Sequence, residues 1–307
     1  MKISTTLFFD RASQQLGNVQ SNLNKTQEQL STGLQIVKPS DAPDKAALVT
    51  RLESELSRQT SYQDTLKAVN VRLTAEETAL KNTSDVMYRI KELATQAASD
   101  TLGDQDRQSV AIELKTLRDQ LLSLANSRDS NGNYLFSGSK ATTPAFSQDA
   151  KGQVMYQGDQ ARMKVNIGDN RRVNLNLPGS DVYTRVVRTD DKGNKSAVDF
   201  FKSLDDLVSA VQGGDHVGMQ RGVAEVDTLQ NGISEGLGQI GADLTVVDMQ
   251  TNVLDQVVLN LKSTRSDVED LDYTAAITKM NKDQLALQAA QSSFAKISQL
   301  SLFQYLN

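Results

Sequence analysis

The chain has 307 residues, 38% of them apolar, with 33 basic against 38 acidic side chains, one His, no Cys and no Trp. No Cys excludes disulfides and thiolate chemistry, a formal charge of −5 gives no electrostatic reason to bind nucleic acid or an anionic membrane, and no window approaches the roughly 18 apolar residues of a membrane span. Low apolar content with 5% aromatic residues suits an elongated helical bundle better than a thick enzyme core.

The opening Met1-Lys2-Ile3-Ser4-Thr5-Thr6-Leu7-Phe8-Phe9-Asp10 holds an apolar run too short for a secretory signal peptide, which leaves the cytoplasm or an unprocessed export route. A first helix reads from about Thr5 to Gln35, and Leu16, Leu23, Leu30 and, just past it, Val37 recur at every seventh place with Val19 beside them. That period keeps a thin apolar stripe on one side of a helix. Lys38-Pro39-Ser40-Asp41-Ala42-Pro43 breaks it, because Pro39 biases Lys38 away from helical dihedrals while Ser40 or Asp41 can cap a new helix with Pro43 in its first turn.

The second predicted helix runs to about Thr101. Leu52, Leu66, Leu73, Leu80, Met87 and Ala94 repeat at seven with Gln59 in the vacant place, and Tyr62, Val69 and Ile90 form the flanking row. At ~1.5 Å per residue a helix of roughly 55 residues is on the order of 80 Å long, which predicts a rod. A third helix, capped by Asp104 and reaching about Ser127, alternates Val110, Leu114, Leu117, Leu121 and Leu124.

Between Asn131 and Val198 the period drops to two. Val154-Met155-Tyr156, Met163–Ile167, Val173–Leu177 and Val182–Val187 read as strands separated by Gly-, Pro- and Asp-rich turns. A short helix from Ala197 to Val211 leads through Gly213-Gly214 into a run where Val226, Ile233, Ile240, Val247, Leu254, Leu261 and Val268 fill every seventh place. Tyr273, Met280, Leu287 and Phe294 close the chain at the same spacing, joined by Ile277, Ala290, Ile297 and Leu300.

The expected fold is therefore mainly α: an elongated multi-helix coiled-coil bundle formed by the N- and C-terminal arms, with a small inserted antiparallel β domain. The expected divisions are a terminal helical assembly domain (1–44 and 267–307, disordered in the monomer), a helical rod (45–139 and 199–266) and an outer β domain (140–198). Thin stripes at chain ends gain stability only from a partner. Leu16, Leu23, Leu30, Phe294, Ile297, Leu300, Phe303 and Leu306 are accordingly the candidate assembly interface.

Chemistry-bearing motifs are weak throughout. Gly236-Leu237-Gly238-Gln239-Ile240-Gly241 spells a dinucleotide fingerprint, but the seven-residue repeat passes through it where a strand and turn are required. His216 has no Cys to share a zinc site with and no nucleophile elbow to serve. Asp129-Ser130-Asn131-Gly132-Asn133 reads as a turn, its Gly being misplaced for a calcium loop. Glu76-Glu77, Asp205-Asp206 and Asp190-Asp191 read as solvated charge. No catalytic, cofactor or metal residue is expected.

Gln20–Ile36, Leu124–Gly138, Gly241–Leu244, Asp270–Ala276 and the ending Gln299–Leu306 together resemble the bacterial flagellin superfamily. The opening Met1-Lys2-Ile3-Ser4-Thr5, the phrase Asn133-Tyr134-Leu135-Phe136-Ser137-Gly138 and the small outer domain are more similar to its hook–filament junction branch than to filament flagellin. The terminal Phe303-Gln304-Tyr305-Leu306 departs from the all-leucine ending common in flagellins. The resemblance implies a secreted, extracellular structural subunit, exported unprocessed by the flagellar type III machine and assembled as a ring of identical subunits. Its implied partners are hook-associated protein 1 below, flagellin above and an export chaperone at the C-terminal region. Two other readings stay open: filament flagellin itself, or a stalked binding module that acts through its β domain.

Overall fold

Heptad-spaced segments of both arms fold as long helices in the computed structural model, which describes residues 2–99, 102–189 and 194–303. In chain order these are α1 (Lys2–Thr32), α2 (Pro43–Ala97), α3 (Asp104–Ala125), the single turn α4 (Gly179–Val182), α5 (Phe200–Gly213), α6 (His216–Glu269) and α7 (Tyr273–Phe303). Among the described residues the insertion holds three separate antiparallel ribbons: β1 (Phe146–Gln148) with β2 (Val154–Tyr156), β3 (Lys164–Gly168) with β4 (Arg171–Asn174), and β5 (Val186–Thr189) with β6 (Lys195–Val198). The registers pair Phe146 with Tyr156, Val165 with Val173 and Val187 with Ala197. The chain packs as two units, Met1–Gln59 with Gln256–Asn307, and Thr60–Asp255.

The central unit is built on one seam of α2. Leu66, Val69, Leu73, Leu80, Met87, Ile90 and Ala94 are each at most 1% exposed. Their alternating three- and four-residue steps leave two further seam places, and Glu76 and Thr83 occupy them, both fully buried. Thr83 is satisfied by donating from Oγ1 to the Ala79 carbonyl (2.8 Å) and sharing a hydrogen bond with Tyr183 Oη (3.3 Å). Facing side chains come from Val226, Ile233, Ile240, Val247 and Leu254 of α6, Leu114 and Leu121 of α3, and Leu204 and Leu207 of α5. Each such side chain, fully buried, contributes about 1.5–3 kcal/mol.

Aromatic rings fasten the ribbons to this core. Phe146 of β1 meets Tyr156 of β2 at 5.1 Å between centroids, Tyr183 at 5.2 Å and Phe201 of α5 at 5.3 Å. Gly236 of α6 lies under this layer: a Cβ there would sit 3.1 Å from Val182 and 3.4 Å from both Leu177 and Leu80. The glycine-rich spelling thus lies inside an uninterrupted helix, with close packing at Gly236 and open space beside Gly238 and Gly241.

Several boundaries differ from the sequence reading. Gly33, not Gln35, ends α1, and Gly103 rather than Asp104 caps α3. Ala197 and Val198 pair in β6, so α5 starts only at Phe200, where Asp199 precedes it. Val182 belongs to α4, and the strand expected from it begins at Val186. The named strand β4 ends at Asn174, the Leu175 amide still donates to Met163 O at 2.8 Å, and Leu177 beyond it is held to α2 by a buried hydrogen bond described below.

Candidate assembly interface

The terminal unit is organised around a joint where both arms turn. Gly33 takes the left-handed conformation (φ +74°) that stops α1, and its amide donates to Gln29 O at 2.8 Å. The next residues then pair with the α6–α7 connection: Leu271 N donates to Gly33 O (3.0 Å), Gln35 N donates to Glu269 O (2.7 Å), and Leu34 bridges Asp270. Asp272 caps α7 by accepting the Ala275 amide at 3.0 Å. Tyr273 packs so closely that a Cβ on Gly33 would lie 2.9 Å from its Oη. In the sequence this α6–α7 break shows as a five-residue step from Val268 to Tyr273 in the seven-residue row, with Asp270 and Asp272 in the gap.

The segment between α1 and α2 folds back on the same joint. Lys25 Nζ contacts Asp41 Oδ1 at 2.7 Å, and Lys38 contacts Glu28 at 3.1 Å. The Lys25 hydrogen bond, with the Lys38 amide second, holds the Asp41 carboxyl below the usual carboxylate range.

Beyond the joint α1 and α7 pair antiparallel, Phe9 meeting Phe294 edge-on at 5.5 Å. The α1 side of the seam steps through Phe9, Ala12, Leu16, Val19, Leu23, Thr26 and Leu30; only Leu23 and Thr26 are buried, the others half-buried. Ala276, Met280, Asp283, Leu287, Ala290 and Phe294 form the α7 side, and only Ala276 is buried. Of the eight expected interface residues, Leu16, Leu23, Leu30 and Phe294 therefore share one seam. Ile297, Leu300 and Phe303 lie within α7, their side chains outside the described set, and Leu306 lies outside the described residues. Thr26 and Asp283 were not singled out from the sequence, although the heptad register marks both.

In the central unit Glu76, Asp205 and Asp206, read as solvated, are structural, while Glu77 pairs along its own helix with the exposed Lys81 (2.8 Å). Arg72 reaches the loop leaving α3, donating to Leu135 O (3.1 Å), Tyr134 O (3.4 Å) and Asp129 Oδ2 (3.3 Å). Its Nε lies 3.4 Å from Glu76 Oε1, while Glu76 Oε2 accepts the Leu177 amide at 3.2 Å. Burial pushes the Glu76 carboxyl up to about 8 against the opposing pull of Arg72 and the Leu177 amide. This buried pair holds the entry to the insertion, through Arg72, and its Leu177 segment, through Glu76. Asp205 pairs with Arg118 (2.8 Å), and Asp206 with Arg188 and Lys202. Arg188 also binds Glu225 bidentately (2.6 and 2.7 Å), pinning β5 to α6.

The remaining candidates have plain placements. His216 is exposed at the start of α6. Asp129 closes a turn by accepting the Asn131 and Asn133 amides at 2.8 and 2.9 Å, with Gly132 at φ +82°. Asp190-Asp191 lies outside the described residues. No helix among the described residues is long and apolar enough to cross a membrane.

Comparison with known proteins matches the same two arms. A family profile for the bacterial flagellin N-terminal helical region matches residues 3–141, and one for the C-terminal helical region matches residues 223–306. Flagellar hook-associated protein 3 of Escherichia coli is 28% identical over 99% of each chain, and flagellin of Bacillus subtilis 24% identical over 92% of each. A solved putative flagellar hook-associated protein from Vibrio parahaemolyticus superposes with a TM-score of 0.67 at 21% identity, covering 75% of this chain and all of that one.

Proposed function

The chain belongs to the bacterial flagellin family, and from that premise we propose that it is a non-catalytic adaptor subunit at the junction between the flagellar hook and filament. The observation that carries this reading is the α1/α7 seam. It keeps a coiled-coil spacing over both chain ends, yet leaves most of its apolar positions half-buried, which suits helices completed by neighbouring copies. Similarity along 99% of both chains to a hook-associated protein 3 favours a junction subunit over a filament flagellin.

In this reading residues 1–44 and 267–307 form the assembly domain, ordered on incorporation, and Leu16, Leu23, Leu30, Phe294, Ile297, Leu300, Phe303 and Leu306 supply its apolar contacts. Residues 45–139 and 199–266 form the rod, and 140–198 the outer domain. The subunit leaves the cell through the type III export route with a chaperone on its C-terminal region. It then forms a ring that contacts hook-associated protein 1 on one side and flagellin on the other.

Changing Leu300, Phe303 and Leu306 together to Ser tests the assembly role. The expected outcome is a folded central unit that resists protease but no longer joins hooks. Loss of the central fold, or incorporation at the wild-type level, contradicts the reading. Whether the purified chain grows long filaments alone, as a flagellin would, or only caps hooks decides against the nearest rival.

A further inference from the structure

Asp283 stands in the α7 seam, three residues after Met280 and four before Leu287, where the heptad spacing calls for an apolar side chain. Its Oδ2 is withdrawn from solvent and has no hydrogen-bond donor among the described residues. Two fixed points set what lies opposite. Phe9 meets Phe294 and Gly33 meets Tyr273, so an antiparallel count places Asp283 level with residues 20–23 of α1. That stretch offers no cation; of its two carboxamides, Gln20 donates to Asn24 at 3.1 Å and Asn22 is exposed. Asp283 is the only acidic residue of α7, beside Lys279, Lys282 and Lys296. Lys279, one turn away, forms no ion pair with it within the described residues.

A shielded carboxylate oxygen without a donor costs stability, and a polar group at a seam position is best known for fixing register and choice of partner. The surrounding seam is open to a further helix: Met280, Leu287, Ala290 and Phe294 are half-buried, and Ile277 and Leu285 on the flank are 45% and 68% exposed. The cations that could answer it are carried by the chain itself. Arg11 of α1 and the three α7 lysines make no ion pair among the described residues, so a second copy brings both the apolar cover and the positive charge.

We propose that Asp283 is a recognition residue for self-assembly: its carboxylate receives a Lys or Arg side chain from the α1/α7 pair of a second copy of this chain. The inference rests on the assembly reading above and adds the group that sets register within it.

The test uses the full-length chain carrying Asp283→Leu and, separately, Asp283→Asn. In the isolated subunit, Asp283→Leu completes the apolar seam, so hydrogen exchange in α1 and α7 slows several-fold. Incorporation at the hook falls about tenfold or more for Asp283→Leu and measurably for Asp283→Asn, corresponding to loss of a charge-assisted contact. One of Arg11→Gln, Lys279→Gln, Lys282→Gln or Lys296→Gln reproduces the loss without additivity when combined with Asp283→Asn. Wild-type incorporation by Asp283→Leu overturns the proposal, as does a loss of incorporation accompanied by faster exchange in α1 and α7. If wild-type subunits never join hooks but self-associate in sedimentation in an Asp283-dependent way, the junction reading fails and this inference stands.

Discussion

In the central unit the α2 seam from Leu66 to Ala94 is at most 1% exposed wherever it is apolar, because it shares one buried core with side chains of α3, α5, α6 and the insertion. In the terminal unit the same three–four spacing leaves Leu16, Val19, Met280 and Leu287 half-buried, because one helix faces one other. Equal periodicity thus specifies a helix and its apolar side, while the number of neighbours specifies how much free energy that side returns. At ~25 cal/mol per Å² of apolar surface, a half-covered leucine yields roughly half the gain of a buried one. The central unit is accordingly expected to hold its structure as a monomer and the terminal unit to gain most of its stability on assembly.

The largest effect that sharpens this contrast comes from the fully covered seam. Leu80→Ala removes a side chain packed beneath Gly236 and is expected to cost about 2–5 kcal/mol of central-unit stability in urea unfolding. The corresponding Leu16→Ala change should cost clearly less; equal costs would break the comparison.

The second effect is a pH dependence confined to the central unit. Because Glu76 titrates near 8 when folded and near 4.5 when unfolded, the native state keeps a proton that the unfolded chain releases between those values. Its contribution is complete below about pH 4.5 and is lost as the pH rises through 8, on the order of a few kcal/mol. Glu76→Gln keeps an acceptor for the Leu177 amide and should flatten that part of the stability profile. An unchanged slope would remove Glu76 as its cause.

The smallest effect concerns the joint of the terminal unit. Gly33→Ala forces a side chain into a left-handed backbone and against Tyr273, costing about 1–2 kcal/mol. Amides of Gln35 and Leu271, which close the joint, should exchange faster while those of α2 beyond residue 60 do not change. Faster exchange in both places would mean that the two units are not energetically separable.

The seven-residue repeats made the helices and their buried sides legible from sequence, since a period of 3.5 can satisfy only one helical face. The same register marks Glu76, Thr83, Thr26 and Asp283 as seam positions, but residue-type habit pointed Glu76 outward and left the other three unremarked. Only the partners could resolve them: Arg72 and the Leu177 amide for Glu76, and none among the described residues for Asp283. The insertion was legible as short strands between turns, whereas its ends were not. Val182 turns into α4 and Leu177 bends to α2 through contacts about a hundred residues away in sequence, which no local pattern carries. The α6–α7 joint showed only as a five-residue step from Val268 to Tyr273 in the heptad row, because the backbone pairing with Gly33 and Gln35 that builds it comes from the other end of the chain.

Hydrogen exchange on the full-length isolated subunit tests the central claim most directly. The account predicts that amides of α2 from residue 66 to 94 exchange only through global unfolding, while those of α1 and α7 exchange about a hundredfold faster or more and become protected once the subunit is seated at the hook. Exchange in α1 and α7 as slow as in α2 before any assembly would contradict it.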